Sequence, residues 1–208
     1  LGQLDETATR GSREAVAFLF VLGGHKGINP KVMDEVKTDK HPVATHKLEN
    51  ASNDEILDAC ERLGLVNGAK NKMNVIFMPV YLDGYDGLLN ITYDEALAGC
   101  DLGVFPSYYE PWGYTPLESA ALSVPTLTTD CAGFGRWLLS NKLEDQGVRV
   151  IQRADKTDEE VASEIVDFVN EIKDLSSSQA AKKRVESRQL ANKASWSVFY
   201  KRYQTAYN

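Results

Sequence analysis

Short apolar runs, separated by stretches with helical spacing, are the feature that most constrains how this chain can fold. Continuous apolar runs of this length are typical of buried parallel strands. Between most of them, apolar residues recur three and four positions apart, which predicts helices. The alternation predicts right-handed βαβ units and therefore an α/β fold, a Rossmann-like parallel sheet with helices on both faces. The apolar runs cover residues 15–22, 74–78 and 102–105. Two further strand-like segments, residues 126–129 after Pro125 and residues 148–151 after Gly147, continue the alternation.

The last part of the chain differs from the rest in charge. Residues 176–208 contain seven basic residues and one acid, although the whole chain carries a formal net charge of −7. Their spacing predicts helices with a break near residues 195–197. We therefore divide the chain into an α/β domain, residues 1–175, and a helical tail, residues 176–208, which packs on this domain or on a neighbouring one.

Composition excludes several classes of function. The acidic net charge argues against nucleic acid as the main partner. No apolar run approaches the roughly 18 residues of a membrane span, and the N-terminus lacks the basic-then-apolar pattern of a signal peptide. Three cysteines without a C-x-x-C pair fit a reducing compartment, and three scattered histidines do not predict a zinc site. We expect a cytoplasmic protein.

Four Ser/Thr-x-x-Glu sequences predict helix starts. In such a capping box the hydroxyl accepts from the third backbone N–H, and the glutamate accepts from the N–H of the cap residue. The four boxes begin at Ser52, Thr92, Thr115 and Thr157. Residues 41–53 are instead polar and contain Pro42, which predicts a loop.

The segment after the third apolar run is the first place to look for a ligand, because ligands of open parallel sheets bind beyond the carboxyl ends of the strands. Residues 106–115 read PSYYEPWGYT and lead into a helix at Pro116. A helix N-terminus attracts phosphate. A carboxylate binds sugar hydroxyls or a ribose diol, and an aromatic ring stacks on a base. With Glu110 and Glu118 beside it, this helix start therefore suits a nucleotide-sugar.

Structural interpretations of the same residues stay open. Glu118 is also the return half of the capping box that begins at Thr115, which is a structural role. The Pro-Trp-Gly-Tyr sequence around Trp112 is equally typical of a packed turn with a core tryptophan. An Arg or Lys pair that would help to neutralise a diphosphate is not evident in this segment.

The sixteen residues from Gly103 to Glu118 (GVFPSYYEPWGYTPLE) resemble the signature of animal and fungal glycogen synthases, which are retaining glucosyltransferases of the GT-B fold. Further matches lie at residues 75–79, 94–100, 123–126 and 133–135. The resemblance runs from about Pro42 to Leu138 and more weakly to Tyr203. It implies that the chain is the C-terminal, donor-binding half of a GT-B fold, followed by C-terminal helices.

The resemblance also implies roles for individual residues. Glu110 matches the catalytic glutamate at the transferred glucose, and Glu118 matches the glutamate on the ribose. The other matching positions bind the donor: Trp112 and Gly113 through backbone donors to the sugar, Tyr114 and Thr115 through phosphate contacts at the helix start, and Tyr93 and Tyr81 as aromatic rings that flank the uracil. The family usually has Phe in place of Tyr81.

The activity that the resemblance implies belongs to a larger enzyme. It transfers glucose from UDP-glucose to the non-reducing end of an α-1,4-glucan with retention of configuration. The glucan is held by an N-terminal domain that is missing here, and nucleic acids and membranes are not partners. No metal or other cofactor is expected, because helix amides and basic side chains neutralise the diphosphate. A chain that begins at Leu1 rather than Met is then a fragment, expected to be inactive alone.

Three departures from the family pattern limit these expectations. The Arg and Lys that contact the donor phosphates have no recognisable counterpart before Ala15. The helical insertion that mediates tetramer contacts falls between Val36 and Pro42, where only a few residues remain, so the family's tetramer is not carried over and the oligomeric state stays open. Residues 182–188 contain fewer arginines than the members regulated by glucose 6-phosphate, and lysine lacks their bidentate geometry, so this regulation is not predicted.

Two alternative functions stay open. One is another retaining GT-B transferase with a different donor, such as ADP-glucose, or a different acceptor. The other is a non-catalytic module that binds a nucleotide or a glucan.

Overall fold

The computed structural model describes residues 14–33, 41–68 and 71–207 of the chain. The chain divides into two compact units, residues 1–93 and residues 94–208. Most of the predicted insertion point between Val36 and Pro42 lies outside the described residues, as do the first thirteen residues and the last residue of the predicted tail. The proposed division at residue 175 stays a prediction.

The first unit is built on a parallel strand pair. Its strands are β1 (Ala15–Phe20), β2 (His25–Ile28), β3 (His46–Leu48) and β4 (Met73–Met78), and its helices are α1 (Pro30–Met33), a 3-10 turn (Ala51–Asn53) and α2 (Glu55–Arg62). β1 pairs in parallel with β4, and β2 pairs antiparallel with β3. Cys60, Leu65 and Val75 form a small core between α2 and β4.

The second unit is a three-stranded parallel sheet in the order β5-β6-β7 with helices around it. Helix α3 (Tyr93–Ala98) begins at the boundary of the two units. The remaining elements are β5 (Gly103–Val104), α4 (Tyr114–Ala121), β6 (Thr126–Thr129), α5 (Gly133–Ser140), β7 (Val148–Ile151), α6 (Asp158–Asp174), α7 (Ser177–Lys193) and α8 (Trp196–Tyr207).

Strand β7 shows that helices cover both faces of this sheet. Val148 packs on one side with Phe134 of α5 and Leu190 of α7. Ile151 packs on the opposite side with Phe168 of α6, as expected where successive side chains of a strand alternate between faces. The predicted α/β class, with a parallel sheet between helices and further helices at the C-terminus, is confirmed.

Three local predictions differ from the structure. The first apolar run forms a parallel strand, but Val16 and Phe18 remain 51% and 41% exposed, because the side that packs against the core carries Leu19, on the other face of the strand. The predicted loop over residues 41–53 contains β3, whose three residues are too few and too polar to show a period. Helix α2 is capped by Asp54 rather than Ser52.

Candidate functional site

The Glu110 loop, residues 106–113, connects β5 to α4, and its backbone is fixed by hydrogen bonds at Glu110. The Glu110 N–H donates to the carbonyl of Cys131 at 3.2 Å, and the Glu110 carbonyl accepts from the N–H of Gly133 at 3.1 Å. The Ser107 hydroxyl lies 3.4 Å from Oε2 of the Glu110 carboxylate. The side chain is only partly buried. A carboxylate on such a fixed backbone can orient a sugar or stabilise positive charge.

Helix α4 begins directly after this loop. Gly113 is its N-cap, with a φ of 101° and no capping side chain. Such a φ is costly for any residue with a Cβ, which explains the glycine. Tyr114 and Thr115 are therefore the first two helical residues, and both are exposed. The N–H groups of a first helical turn have no intrahelical acceptor, so this helix start can bind an anion.

The capping box predicted from Thr115 to Glu118 is wrong. The helix starts at Tyr114, so Thr115 lies one position inside it and cannot act as the N-cap. Gly113 takes the cap position because the loop needs its backbone conformation there. Glu118 is exposed and lies just past the first turn of α4. Glu118 therefore does not act as the second residue of a capping box, which was its competing structural role.

The Trp112 side chain belongs to an aromatic cluster in the core of the second unit. Its ring centroid lies 5.9 Å from that of Phe134, 6.3 Å from that of Trp137 and 5.4 Å from that of Phe199. The carbonyl of Trp112 accepts from the N–H of Phe134. Trp112 is thus a core tryptophan that anchors the loop, and Gly113 beside it is buried.

The N-termini of α4 and α5 have different roles at this loop. The N–H groups of Gly133 and Phe134, the first residues of α5, are used by loop carbonyls. A Cβ at Gly133 would collide with the carbonyl of Pro111, so this glycine allows the close approach. Helix α5 therefore holds the loop, whereas α4 presents its N-terminus next to Glu110 in sequence.

An open cleft of about 360 Å³ lies in the first unit, where β1 and β4 end. It is lined by Leu22, Gly23, Gly24, His25, Pro79, Val80 and Tyr81. The Gly23 N–H donates to the Pro79 carbonyl at 3.2 Å and joins the two strand ends. Tyr81 is 74% exposed. This is the expected place for a ligand of a parallel sheet, and an exposed ring at its edge can stack on a base.

Tyr93, the other predicted base-flanking residue, lies near the same strand end. Its ring packs edge-on against Phe20, the last residue of β1, with 6.1 Å between the ring centroids. Its N–H donates to the carbonyl of Leu82 at 2.8 Å. Tyr81 and Tyr93 therefore belong to the first unit. The second unit contains the other predicted site residues, which come together on one loop and the helix start that follows it: Glu110, Trp112, Gly113, Tyr114, Thr115 and Glu118.

Sequence reasoning missed His25 in the cleft. Its ring centroid lies 5.0 Å from that of His46, a buried residue whose Nδ1 is 2.9 Å from the Thr45 hydroxyl. Burial lowers the pKa of His46, and His25 lowers it further. The available signal was the position of His25 just after the first apolar run, because residues that follow parallel strands face ligands.

The remaining observations concern the cysteines, possible metal ligands and membrane-spanning helices. Cys60, Cys100 and Cys131 are free thiols, and burial raises the pKa of Cys60 and of Cys100. Among the described residues, no three His, Cys, Asp or Glu side chains group closely enough to hold a metal ion. Within the same residues, no helix combines the length and the apolar character needed to cross a membrane.

Known proteins resemble the chain over most of its length. The family model described as glycogen synthase matches residues 26–208. Isoform 2 of glycogen [starch] synthase from Saccharomyces cerevisiae is 35% identical over 159 residues, 74% of this chain and 23% of the yeast protein. Liver glycogen [starch] synthase is 33% identical over 174 residues in Rattus norvegicus, 81% of this chain and 25% of the rat protein. The human liver protein is 33% identical over 167 residues, 79% of this chain and 24% of that protein. The chain thus spans about a quarter of each relative.

Proposed function

Because the chain belongs to the glycogen synthase family, we propose that it is the donor-binding part of a larger glucosyltransferase. That enzyme transfers glucose from UDP-glucose to the non-reducing end of an α-1,4-glucan and retains the configuration of the sugar. The observation that carries the proposal is the Glu110 loop. It joins a fixed carboxylate to a helix N-terminus without a capping side chain.

Each group of this loop has a role in the proposed transfer. The α4 N-terminus, with Tyr114 and Thr115, stabilises the departing diphosphate through backbone N–H groups and a hydroxyl. Glu110 orients the transferred glucose and stabilises the positive charge that develops on it. Glu118 accepts hydrogen bonds from the ribose diol. Rate enhancement then comes from positioning and electrostatics rather than from a covalent step.

Tyr81 and Tyr93 are proposed to flank the uracil base. Tyr81 presents an exposed ring for stacking, and Tyr93 acts beside the end of β1. A metal is not part of the proposal, because the helix N-terminus already provides positive charge. Nucleic acids and membranes are likewise not proposed as partners.

The acceptor side of the reaction is assigned to sequence that this chain does not contain. The curated relatives are roughly three times as long as this chain, and a transferase needs both of its substrates in one cleft. We therefore propose that residues 1–208 are inactive alone, and that the α-1,4-glucan binds elsewhere in the complete protein. The proposed location of the enzyme is the cytoplasm.

Donor competition in the full-length protein separates the proposal from its alternatives. Isothermal titration with UDP-glucose, ADP-glucose and GDP-mannose is expected to give the tightest binding for UDP-glucose. Preference for either other donor would identify a transferase of different specificity. Binding without any transfer of glucose to maltooligosaccharides would identify a non-catalytic module. Either result would contradict the proposed function.

Substitution of Glu110 tests the catalytic assignment. Glu110→Gln keeps the shape of the side chain but removes its charge. It is expected to lower the kcat of the full-length enzyme about a hundredfold or more, the order seen when one electrostatic stabiliser is lost. Glu61→Gln is the matched control, because Glu61 is an exposed glutamate on α2. Equal rates for the two variants would contradict the role of Glu110.

A further inference from the structure

One buried cation, Arg153, holds the first half of the Glu110 loop. Arg153 follows β7 and is only 8% exposed. Its guanidinium carbon lies 3.5 Å from the ring centroid of Tyr108. Its Nη1 also donates to the carbonyl of Pro106 at 3.3 Å. Cation–π contacts strengthen as the cation loses water, and Arg153 is largely removed from water, so this contact helps to place the exposed ring of Tyr108.

Asp158, the first residue of α6, completes a group that we call the Arg153 clamp, consisting of Arg153, Tyr108 and Asp158. Nη2 of Arg153 lies 2.5 Å from Oδ1 of Asp158. The Tyr108 hydroxyl donates to the same carboxylate, at 2.9 Å and 2.8 Å from its two oxygens. This hydrogen bond raises the pKa of Tyr108 above its ordinary value of 10.0. The phenol therefore keeps its proton, and remains a donor, at neutral pH.

The backbone of Arg153 makes a second connection, on the other side of Glu110. Its N–H donates to Oδ1 of Asp130 at 2.7 Å. The next residue, Cys131, supplies the carbonyl that accepts from the Glu110 N–H. Arg153 thus contacts the loop before Glu110 through its side chain, and the segment that pairs with Glu110 through its main chain.

The geometry of the clamp requires arginine. A planar guanidinium can stack on a ring while its edge donates to a carboxylate and a carbonyl at the same time. The ammonium of a lysine is a compact charge that cannot fill these three positions together. An Arg153→Lys variant should therefore keep the charge and lose the placement of Tyr108.

We propose that Arg153 is a positioning residue for Glu110, acting through Tyr108 and Pro106 on one side and through Asp130 on the other. This proposal rests on the proposed role of Glu110 at the donor sugar. Arg153 itself does not touch the substrate. Its effect is on kcat, because it determines where the Glu110 carboxylate stands during the transfer.

Arg149→Lys supplies a control from β7 itself, four residues before Arg153. The Arg149 guanidinium lies 4.6 Å from the ring centroid of Phe168 and pairs with Glu171 at 2.9 Å. Arg149 also pairs with Asp145. Like Arg153 it therefore makes a cation–π contact and carboxylate contacts, but none of these is with the Glu110 loop. A loss of general stability should appear equally in both variants, whereas a loss of positioning should appear only in Arg153→Lys.

The experiment measures kcat, the KM for UDP-glucose and amide hydrogen exchange in the full-length protein. For Arg153→Lys we expect a kcat lower by about tenfold to a hundredfold, since misplacement by ~1 Å costs this order. The KM should change little, and exchange should quicken in residues 107–113. Arg149→Lys should show neither effect. Unchanged exchange in the loop, or an equal fall of kcat in both lysine variants, would overturn the proposal.

A double-variant cycle distinguishes this proposal from the proposed function. If Arg153 acts through Glu110, Arg153→Lys should lower kcat no further in a Glu110→Gln background. If Glu110→Gln alone keeps the wild-type rate, the proposed function fails. If Glu110→Gln loses the rate but Arg153→Lys does not, only the positioning role fails. Should Arg153→Lys not fold, Tyr108→Leu replaces it, because Tyr108 is 70% exposed and its loss leaves the core intact.

Discussion

The Glu110 loop and the cleft of the first unit differ in how tightly their residues are held. The loop is fixed by backbone hydrogen bonds to residues 131–134, by Trp112 in the aromatic core, and by the Arg153 clamp. The cleft is open, has two consecutive glycines on its wall, and leaves Tyr81 largely in solvent. Chemistry at a sugar needs a carboxylate placed to a fraction of an ångström. Stacking of an aromatic ring on a flat base requires less exact placement than the carboxylate does.

The largest effect should come from adding a single methyl group beneath the loop. In Gly133→Ala the new Cβ would collide with the carbonyl of Pro111 and lie 3.0 Å from the Cα of Trp112. Backbone atoms cannot rotate away to relieve the collision as a flexible side chain can. We therefore expect a loss of about 2–3 kcal/mol in the free energy of unfolding. Urea unfolding followed by circular dichroism measures this change.

The matched control for that substitution lies in the cleft. The Cβ of Gly23→Ala would sit 3.4 Å from the Cβ of Pro79, an ordinary contact, and Gly23 does not have a positive φ. This variant should unfold within about 0.5 kcal/mol of the wild type. Equal losses at the two glycines would mean that the loop is no more tightly held than the cleft.

An intermediate effect should appear when the pH is lowered, and only in the first unit. Burial, and then His25, lower the pKa of His46, although a backbone hydrogen bond at Asp86 and the charge of the Asp86 carboxylate oppose this. The unfolded chain therefore takes up a proton near pH 6.5, while the folded unit resists it. The contribution of neutral His46 to the free energy of unfolding is complete above pH 6.5. It is lost progressively as the pH falls from 6.5 to the lowered pKa of the folded protein.

Thermal unfolding at about pH 7.5 and about pH 5.5 tests this dependence. We expect the wild type to lose more stability between these values than His46→Asn, which cannot titrate. His41→Asn is the control, because His41 is exposed and should leave the pH dependence as it is. Parallel pH profiles for the wild type and His46→Asn would remove His46 as the cause.

The sequence predicted those features that depend on local pattern. Strands β6 and β7 were predicted with their observed bounds, since each is a short segment rich in β-branched residues that follows a breaker, Pro125 or Gly147. The residues of the Glu110 loop were found in the same way, because they follow a strand and precede a helix. The resemblance then supplied the candidate roles.

Features that depend on distant residues were not predicted. Arg153 lies more than forty positions from Tyr108 in sequence, and only the parallel pairing of β5, β6 and β7 brings the ends of their strands together. The start of α4 was predicted incorrectly for a similar reason, because contacts with residues distant in sequence determine it. The contacts of the loop with α5 place Gly113 at the cap, and this overrides the local preference for Thr115.

The smallest predicted effect compares two capping sequences that look alike. At Thr157 the box exists: the Glu160 N–H donates to the Thr157 hydroxyl at 3.3 Å, and the Thr157 N–H donates to the Glu160 carboxylate at 2.8 Å. Thr157→Ala should therefore cost about 1 kcal/mol of stability. This helix start also carries Asp158 of the Arg153 clamp, so amide exchange at Tyr108 should quicken slightly.

At Ser52 the same sequence pattern has no capping role. Asp54 caps α2 instead, accepting from the N–H groups of Ile56 and Leu57 at 3.1 Å and 2.9 Å. Ser52→Ala should therefore change the free energy of unfolding by no more than about 0.5 kcal/mol, the range of an ordinary surface substitution. Urea unfolding of both alanine variants checks the contrast. A loss at Ser52 as large as that at Thr157 would show that the pattern, rather than the position of the helix start, determines which residue caps.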